Sequence, residues 1–152
     1  MKLFVDLDGV LCDFEARVFE IFGRKPKEIP LKEMWGRLAR TENFYGELDW
    51  MPDGKALWNG VKDLEPTILT GIPMGGWAPK QKRSWCYRNL GWEVPVITCF
   101  AKEKQTYASV GDILIDDTAR NIDAWRSVGG VGILHTSAEK SLAELKEVMD
   151  GK

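Results

Sequence analysis

Five short runs in this chain are apolar almost without interruption, and they constrain its fold more than any other feature. They are KLFVDL at 2–7, TILTG at 67–71, VPVIT at 94–98, ILI at 113–115 and VGIL at 131–134. Runs that do not alternate with polar residues mark strands covered on both faces, the environment of a parallel sheet. Helical patterns separate them. In 79–90, Pro79 suits a first helical position and Gly91 a stop. In 118–128, Ile122, Trp125 and Val128 fall on one face before Gly129 and Gly130. A last helix begins near Ser137 and sets Leu142, Leu145 and Val148 or Met149 on one side. Strand and helix alternating at these lengths predict an α/β, Rossmann-like parallel sheet of about five strands with helices on both faces.

One stretch breaks the rhythm. Residues 24–62 contain no convincing buried strand and carry Pro26, Pro30, Trp35, Trp50, Pro52 and Trp58. They read as a small, mostly helical insertion after the first strand and helix. The expected organisation is a single domain over 1–152, with a core of about 1–23 and 63–152 and a cap of about 24–62. No internal repeat or low-complexity tract interrupts it.

Composition narrows the function classes. A net charge of −2 gives no basic footprint for nucleic acid and no polybasic membrane patch. No apolar run approaches the roughly 18 residues that span a bilayer, and the aspartates soon after Lys2 do not suit a signal peptide. Cys12, Cys86 and Cys99 are odd in number and form no CxxC pair, so reduced thiols in a cytoplasmic protein are expected rather than a disulfide framework or a zinc site.

The chemistry-bearing residues close the predicted strands. Asp6 and Asp8 flank Leu7 at the end of the first, Thr70 ends the second, and Asp116 with Asp117 ends the fourth. In an open parallel sheet these ends share one rim, where ligands gather. Two carboxylate groups converging there repel each other unless a cation lies between them. An all-oxygen set without His or Cys favours a hard ion such as Mg²⁺. Each piece taken alone also suits a turn or a helix cap; three in order, each closing a strand, are much harder to reach by chance.

The order DLDGV, then a strand ending in Thr, then a lysine, then a strand ending in DD resembles the haloacid dehalogenase-like phosphatase superfamily. "FVDLDGVLCDF" with "ILIDD" looks most like its 5'(3')-deoxyribonucleotidase branch, over about 1–14 and 63–135. The resemblance implies a Mg²⁺-dependent phosphomonoesterase. Asp6 would be the nucleophile, forming an aspartyl-phosphate, and Asp8 the general acid and then base. Gly9 would turn the chain so that neighbouring amides face phosphate. Thr70, the Gly71 amide and a lysine would bind phosphate. Asp6, Asp117 and the main-chain carbonyl of Asp8 would hold Mg²⁺, with Asp116 supporting them and pairing with the lysine.

Two lysines, Lys102 and Lys104, precede the fourth strand; the phasing of Lys104, Tyr107 and Val110 along a short helix selects Lys104. In the cap, Trp35, Trp50 and Trp58, with Phe44 and Tyr45, either stack a base or simply pack, and Trp35, Phe44 and Trp50 lead as substrate contacts. Trp77, Trp85, Trp92 and Trp125 read as packing residues, and His135, the single histidine, as structural. The GIPMGG stretch lacks the lysine of a P-loop, since Trp77 follows it. By resemblance the substrate is a small phosphorylated molecule, a nucleoside 5'-monophosphate first. A phosphatase for another small metabolite or a nucleic-acid end is the alternative, and a non-catalytic module of the same fold a third. Asp6, Asp8, Thr70, Lys104 and Asp117 are all intact, which disfavours the last. Oligomeric state is left open.

Overall fold

The computed structural model describes residues 1–151. Five strands, β1 (Leu3–Val5), β2 (Thr67–Gly71), β3 (Val96–Cys99), β4 (Ile113–Asp116) and β5 (Val131–Leu134), form one sheet in the order β3-β2-β1-β4-β5. Every pairing is parallel, as the unbroken apolar runs require. The chain moves outward from β1 through β2 to β3, then crosses back to place β4 on the other side of β1. The reversal between β1 and β4 is the switch point at which α/β sheets open a binding crevice.

Successive strand residues face opposite layers. Val5, Ile68, Ile113 and Ile115 enter the larger core with Trp85 and Cys86 of α4 (Ala78–Leu90), Leu57 of α3 (Gly54–Val61) and Leu145 of α6 (Ala138–Asp150). Phe4, Leu69 and Leu114 face the other way, against Ile122 and Trp125 of α5 (Ala119–Ser127). Trp125 meets Phe4 edge-on at 5.3 Å and donates its indole N–H to the Asp112 carbonyl at 2.9 Å. Helices therefore cover both faces, as predicted.

Several boundaries differ from the sequence reading. The first strand is shorter than 2–7, although the Asp6 amide still donates to the Ile115 carbonyl at 2.9 Å. The third strand begins at Val96 rather than Val94 because Pro95, with no N–H, offers only its carbonyl, to the Ile68 amide. Val128 and Met149 are exposed, since Val128 already caps α5 and Met149 lies off the buried side of α6. Trp92 is 76% exposed instead of packed, because Gly91 has ended α4 before it.

Between β1 and β2 the chain runs through α1 (Phe14–Phe22) and then α2 (Leu31–Arg40), α3 and short 3-10 turns, the mostly helical segment that the sequence reading sets apart as a cap. The side chains of α4 clamp it to the sheet layer. The Trp85 indole donates to the Leu48 carbonyl at 2.8 Å, the Tyr45 amide donates to Gln81 at 2.9 Å, and Arg88 donates to the Gly46 carbonyl. Asp53, just before α3, accepts from the Ala138 amide and so caps α6. His135 sits beneath that cap, bonded to Ser141 at 2.7 Å; burial lowers its pKa although Asp53 opposes the shift.

If the clamp holds the cap, Trp85→Phe, which keeps the ring but leaves the Leu48 carbonyl unpaired, should cost about 1–3 kcal/mol by denaturant unfolding. Limited proteolysis of the folded variant should then cut first within residues 42–52. Unchanged stability and protection would remove Trp85 from that role.

Candidate active site

The parallel register brings the acidic residues together. Val5 pairs with Ile115, so one residue further on Asp6 and Asp116 lie side by side at the switch point. Ligand atoms of Asp6, Asp116 and Asp117 all fall within 4.8 Å of one another. The loop after β1 is drawn tight: the Leu11 and Cys12 amides both donate to the Leu7 carbonyl, and the Gly9 amide donates to Cys12. The Gly9 and Val10 amides are thus used inside the loop, and are not the phosphate-facing groups that the sequence led us to expect. Gly9 has φ +80°, and a Cβ there would collide with the Asp117 carboxylate. Asp13 leaves the site to cap α1, accepting from the Ala16 amide.

Lys104 sits in a 3-10 turn, Ala101–Tyr107, and is 2% exposed. Its ammonium donates to Asp6 Oδ1 at 2.9 Å and to Asp116 Oδ2 at 2.7 Å. Burial alone would strip its charge, but Asp6 and Asp116 outweigh burial and raise its pKa. Lys102 is exposed. The helical phasing used to choose between them is absent, since Tyr107 and Val110 are both exposed; Lys104 is set apart by its partners. Asp116 is spent within the protein, accepting also from the Thr118 amide at 2.9 Å and from Asn121 at 3.2 Å. It anchors Lys104 and has little left for a ligand.

Asp117 is different. Burial first, then the charges of Asp6 and Asp116, push its carboxyl up to about 7. With Asp117 ionised, three carboxylates against one ammonium leave two negative charges in the site. That excess, the oxygen-only donors and the free edge of Asp117 fit a hard divalent cation.

A second buried lysine was missed by sequence reading. Lys82 of α4, wholly buried, donates to Asp8 Oδ2 at 2.7 Å, Thr70 Oγ1 at 2.8 Å and the Gly71 carbonyl at 2.7 Å. Its signal was its place in the stripe Ala78, Lys82, Trp85, Cys86, the buried face of the helix. Thr70, expected to donate to phosphate, here accepts from Lys82 and lies behind the cavity wall.

Asp6, Asp8, Gly71, Lys104 and Asp117 open onto one cavity of about 1120 Å³. Part of its wall is aromatic: Phe14, Trp35 and Tyr45, with Phe14–Trp35 centroids 5.9 Å apart and Phe14–Tyr45 6.1 Å. Of the five cap aromatics named from sequence, Trp35 and Tyr45 line this cavity, and Trp58 is buried in the core. Phe44 is fully buried against Tyr45 and Phe14, and Trp50 packs on Trp85 at 5.0 Å.

Comparison with known proteins accords with this geometry. No protein-family profile matches the chain. A HAD-superfamily hydrolase from Ehrlichia chaffeensis superimposes with a TM-score of 0.53 at 14% identity, over 98% of this chain and 96% of that one. A hydrolase from Pseudomonas syringae gives 0.54 at 15%, over 97% and 89%. The chain has the fold of the haloacid dehalogenase-like hydrolases, and the resemblance read from its motifs stands. In sequence it is similar to two curated nucleotidases. The human cytosolic-type 5'(3')-deoxyribonucleotidase is 28% identical over 77% of this chain and 70% of that protein. The mouse mitochondrial 5'(3')-deoxyribonucleotidase is 24% identical over 77% and 64%. The chain thus spans just under two thirds of the mitochondrial relative.

The raised Asp117 carboxyl gives a prediction with a defined sign. Its contribution to stability is present below the ordinary carboxylate range and is lost as pH rises through about 7. Cation binding needs the deprotonated form, so the gain in Tm on adding Mg²⁺ should be larger at about pH 8 than at about pH 5.5. Asp117→Asn should remove most of that gain and its pH dependence. An equal gain at both pH values in the wild type would contradict the cluster's proposed ion.

Proposed function

We propose that this protein is a Mg²⁺-dependent phosphomonoesterase that acts through an aspartyl-phosphate on Asp6, with a nucleoside 5'-monophosphate as its substrate. One observation carries the reading. Asp6 and Asp8 stand two residues apart at the end of the central strand, each gripped by its own buried lysine, and both face one cavity.

The chain's residues divide the work. A carboxylate oxygen of Asp6 attacks phosphorus as the ester P–O bond breaks, and Asp8 gives its proton to the leaving oxygen. Asp8 then takes a proton from the water that attacks the aspartyl-phosphate, releasing phosphate and restoring Asp6. Lys104 makes only two hydrogen bonds within the described residues, so one N–H remains for a phosphate oxygen. Mg²⁺, held by Asp6, Asp117 and the main-chain carbonyl of Asp8, would offset the charge of carboxylates and phosphate.

The substrate half of the reading rests on the aromatic wall and on what the nucleotidase relatives are named for. An aromatic wall suits a planar base, which stacks on it, more than a sugar or acyl chain. The relatives point the same way, and the three cysteines, all free and buried, suit a reducing cytoplasm.

A phosphate-release screen over nucleotides and sugar phosphates tests the activity. Turnover should vanish in EDTA and return with Mg²⁺, and Asp6→Asn should fall to background while staying folded. Full activity in excess EDTA, or wild-type turnover by Asp6→Asn, would sink the assignment. Trp35→Ala should raise KM for nucleoside monophosphates about 10-fold, with little change for p-nitrophenyl phosphate. Equal effects on both substrates would assign Trp35 to packing alone.

A further inference from the structure

We infer that Lys82 is a positioning residue that acts through Asp8: it holds the Asp8 carboxyl in place beside Asp6, and it does not itself bind phosphate. The inference rests on the phosphomonoesterase reading for its kinetics, but its geometric half can be read without turnover.

The two lysines of the site are built differently. Lys104 lines the cavity and keeps a free N–H. Lys82 does not line it, and its three N–H groups are consumed by Asp8 Oδ2, Thr70 Oγ1 and the Gly71 carbonyl. An ammonium has three donors and no acceptor, so none is left for a substrate. The Tyr45 ring, with its centroid 4.4 Å from Nζ, closes a further side.

Lys82 is an obligate donor, so the Asp8 oxygen it holds, Oδ2, accepts from it. Oδ1 is buried and has no hydrogen-bond partner among the described residues, so the Lys82 ion pair is the one polar contact that fixes this carboxyl. Remove the ammonium and both oxygens of Asp8 lack a donor. The same ammonium donates to Thr70 Oγ1 and the Gly71 carbonyl, which ties Asp8 to the end of β2.

Anchoring matters because Asp8 has 27% of its side chain exposed and a glycine at φ +80° beside it. A proton donor misplaced by about an ångström costs on the order of 100-fold.

The test is Lys82→Met, which keeps length and loses all three donors. In single-turnover measurements with Mg²⁺, leaving-group release from a nucleoside monophosphate should fall about 100-fold, whereas release from p-nitrophenyl phosphate should fall less than about 10-fold, since its leaving group needs little protonation. KM for both should change little. Equal losses on the two substrates, or a loss confined to KM, would overturn the inference. Should Lys82→Met fail to fold, the pair Asp8→Asn and Asp8→Asn/Lys82→Met, which removes the carboxylate that needs the ammonium, carries the test. The two should release leaving group at the same rate, and a further loss beyond about 10-fold in the double variant would show that Lys82 acts elsewhere. The crystal structure of Lys82→Met, or of Lys82→Gln if that variant alone folds, provides the readout that needs no activity. Asp8 should leave its present rotamer, and an unmoved Asp8 would overturn the positioning role even if the enzyme were active. A wild type that releases phosphate from nothing would instead defeat the phosphatase reading, with the rotamer result still deciding the role of Lys82.

Discussion

The Lys104 ammonium, buried between Asp6 and Asp116, is the interaction on which the rest of the site depends. Taking three charges out of water costs several kcal/mol per ion, and the attraction repays this only when the remaining donors and acceptors are satisfied. Here they are. Asp116 accepts three hydrogen bonds, from Lys104, Asn121 and the Thr118 amide. The triad ties the end of β1 to the end of β4 and to the turn that carries Lys104, so the three segments move as one. Its charge balance is deliberately incomplete: with Asp117 added, the cluster is negative and wants a cation.

A second ion pair, Lys82 with Asp8, repeats the device on the other side of β1, using α4 instead of the 3-10 turn. Because α4 also clamps residues 45–48, the helix that anchors Asp8 also holds Tyr45 of the aromatic wall. The Tyr45 ring lies over Lys82 and stacks on Trp77 at 5.4 Å, so the Asp8 anchor and part of the aromatic wall share a support. A shift of α4 would disturb both together.

Much of the fold was legible in the sequence because apolar runs covered on both faces admit few alternatives. TILTG and VGIL are strands over the very residues read, and Pro79, Gly91 and Ser137 mark helix ends by local chemistry that tertiary packing does not override. Asp6, Asp116 and Asp117 were legible for the same reason, since strand ends in a parallel sheet converge. What failed depended on side-chain burial within irregular segments. Phe44 and Trp50 pack while Trp35 and Tyr45 line the cavity, and nothing periodic in residues 24–62 separates them. Lys82 escaped notice because a lysine is assumed to be solvated; only the apolar stripe around it contradicts that. Lys104 was chosen from a helical phasing that the 3-10 turn does not keep.

The central claim is that Asp6, and no other carboxylate of the cluster, bonds to phosphorus. Borohydride reduction of the enzyme during turnover, followed by peptide mass spectrometry, tests it most directly, since an acyl phosphate is reduced to the alcohol and converts its aspartate to homoserine. The account predicts homoserine at position 6 alone, dependent on substrate and Mg²⁺. Phosphate release continuing with position 6 unmodified, or homoserine appearing at Asp8, Asp116 or Asp117 instead, would contradict it.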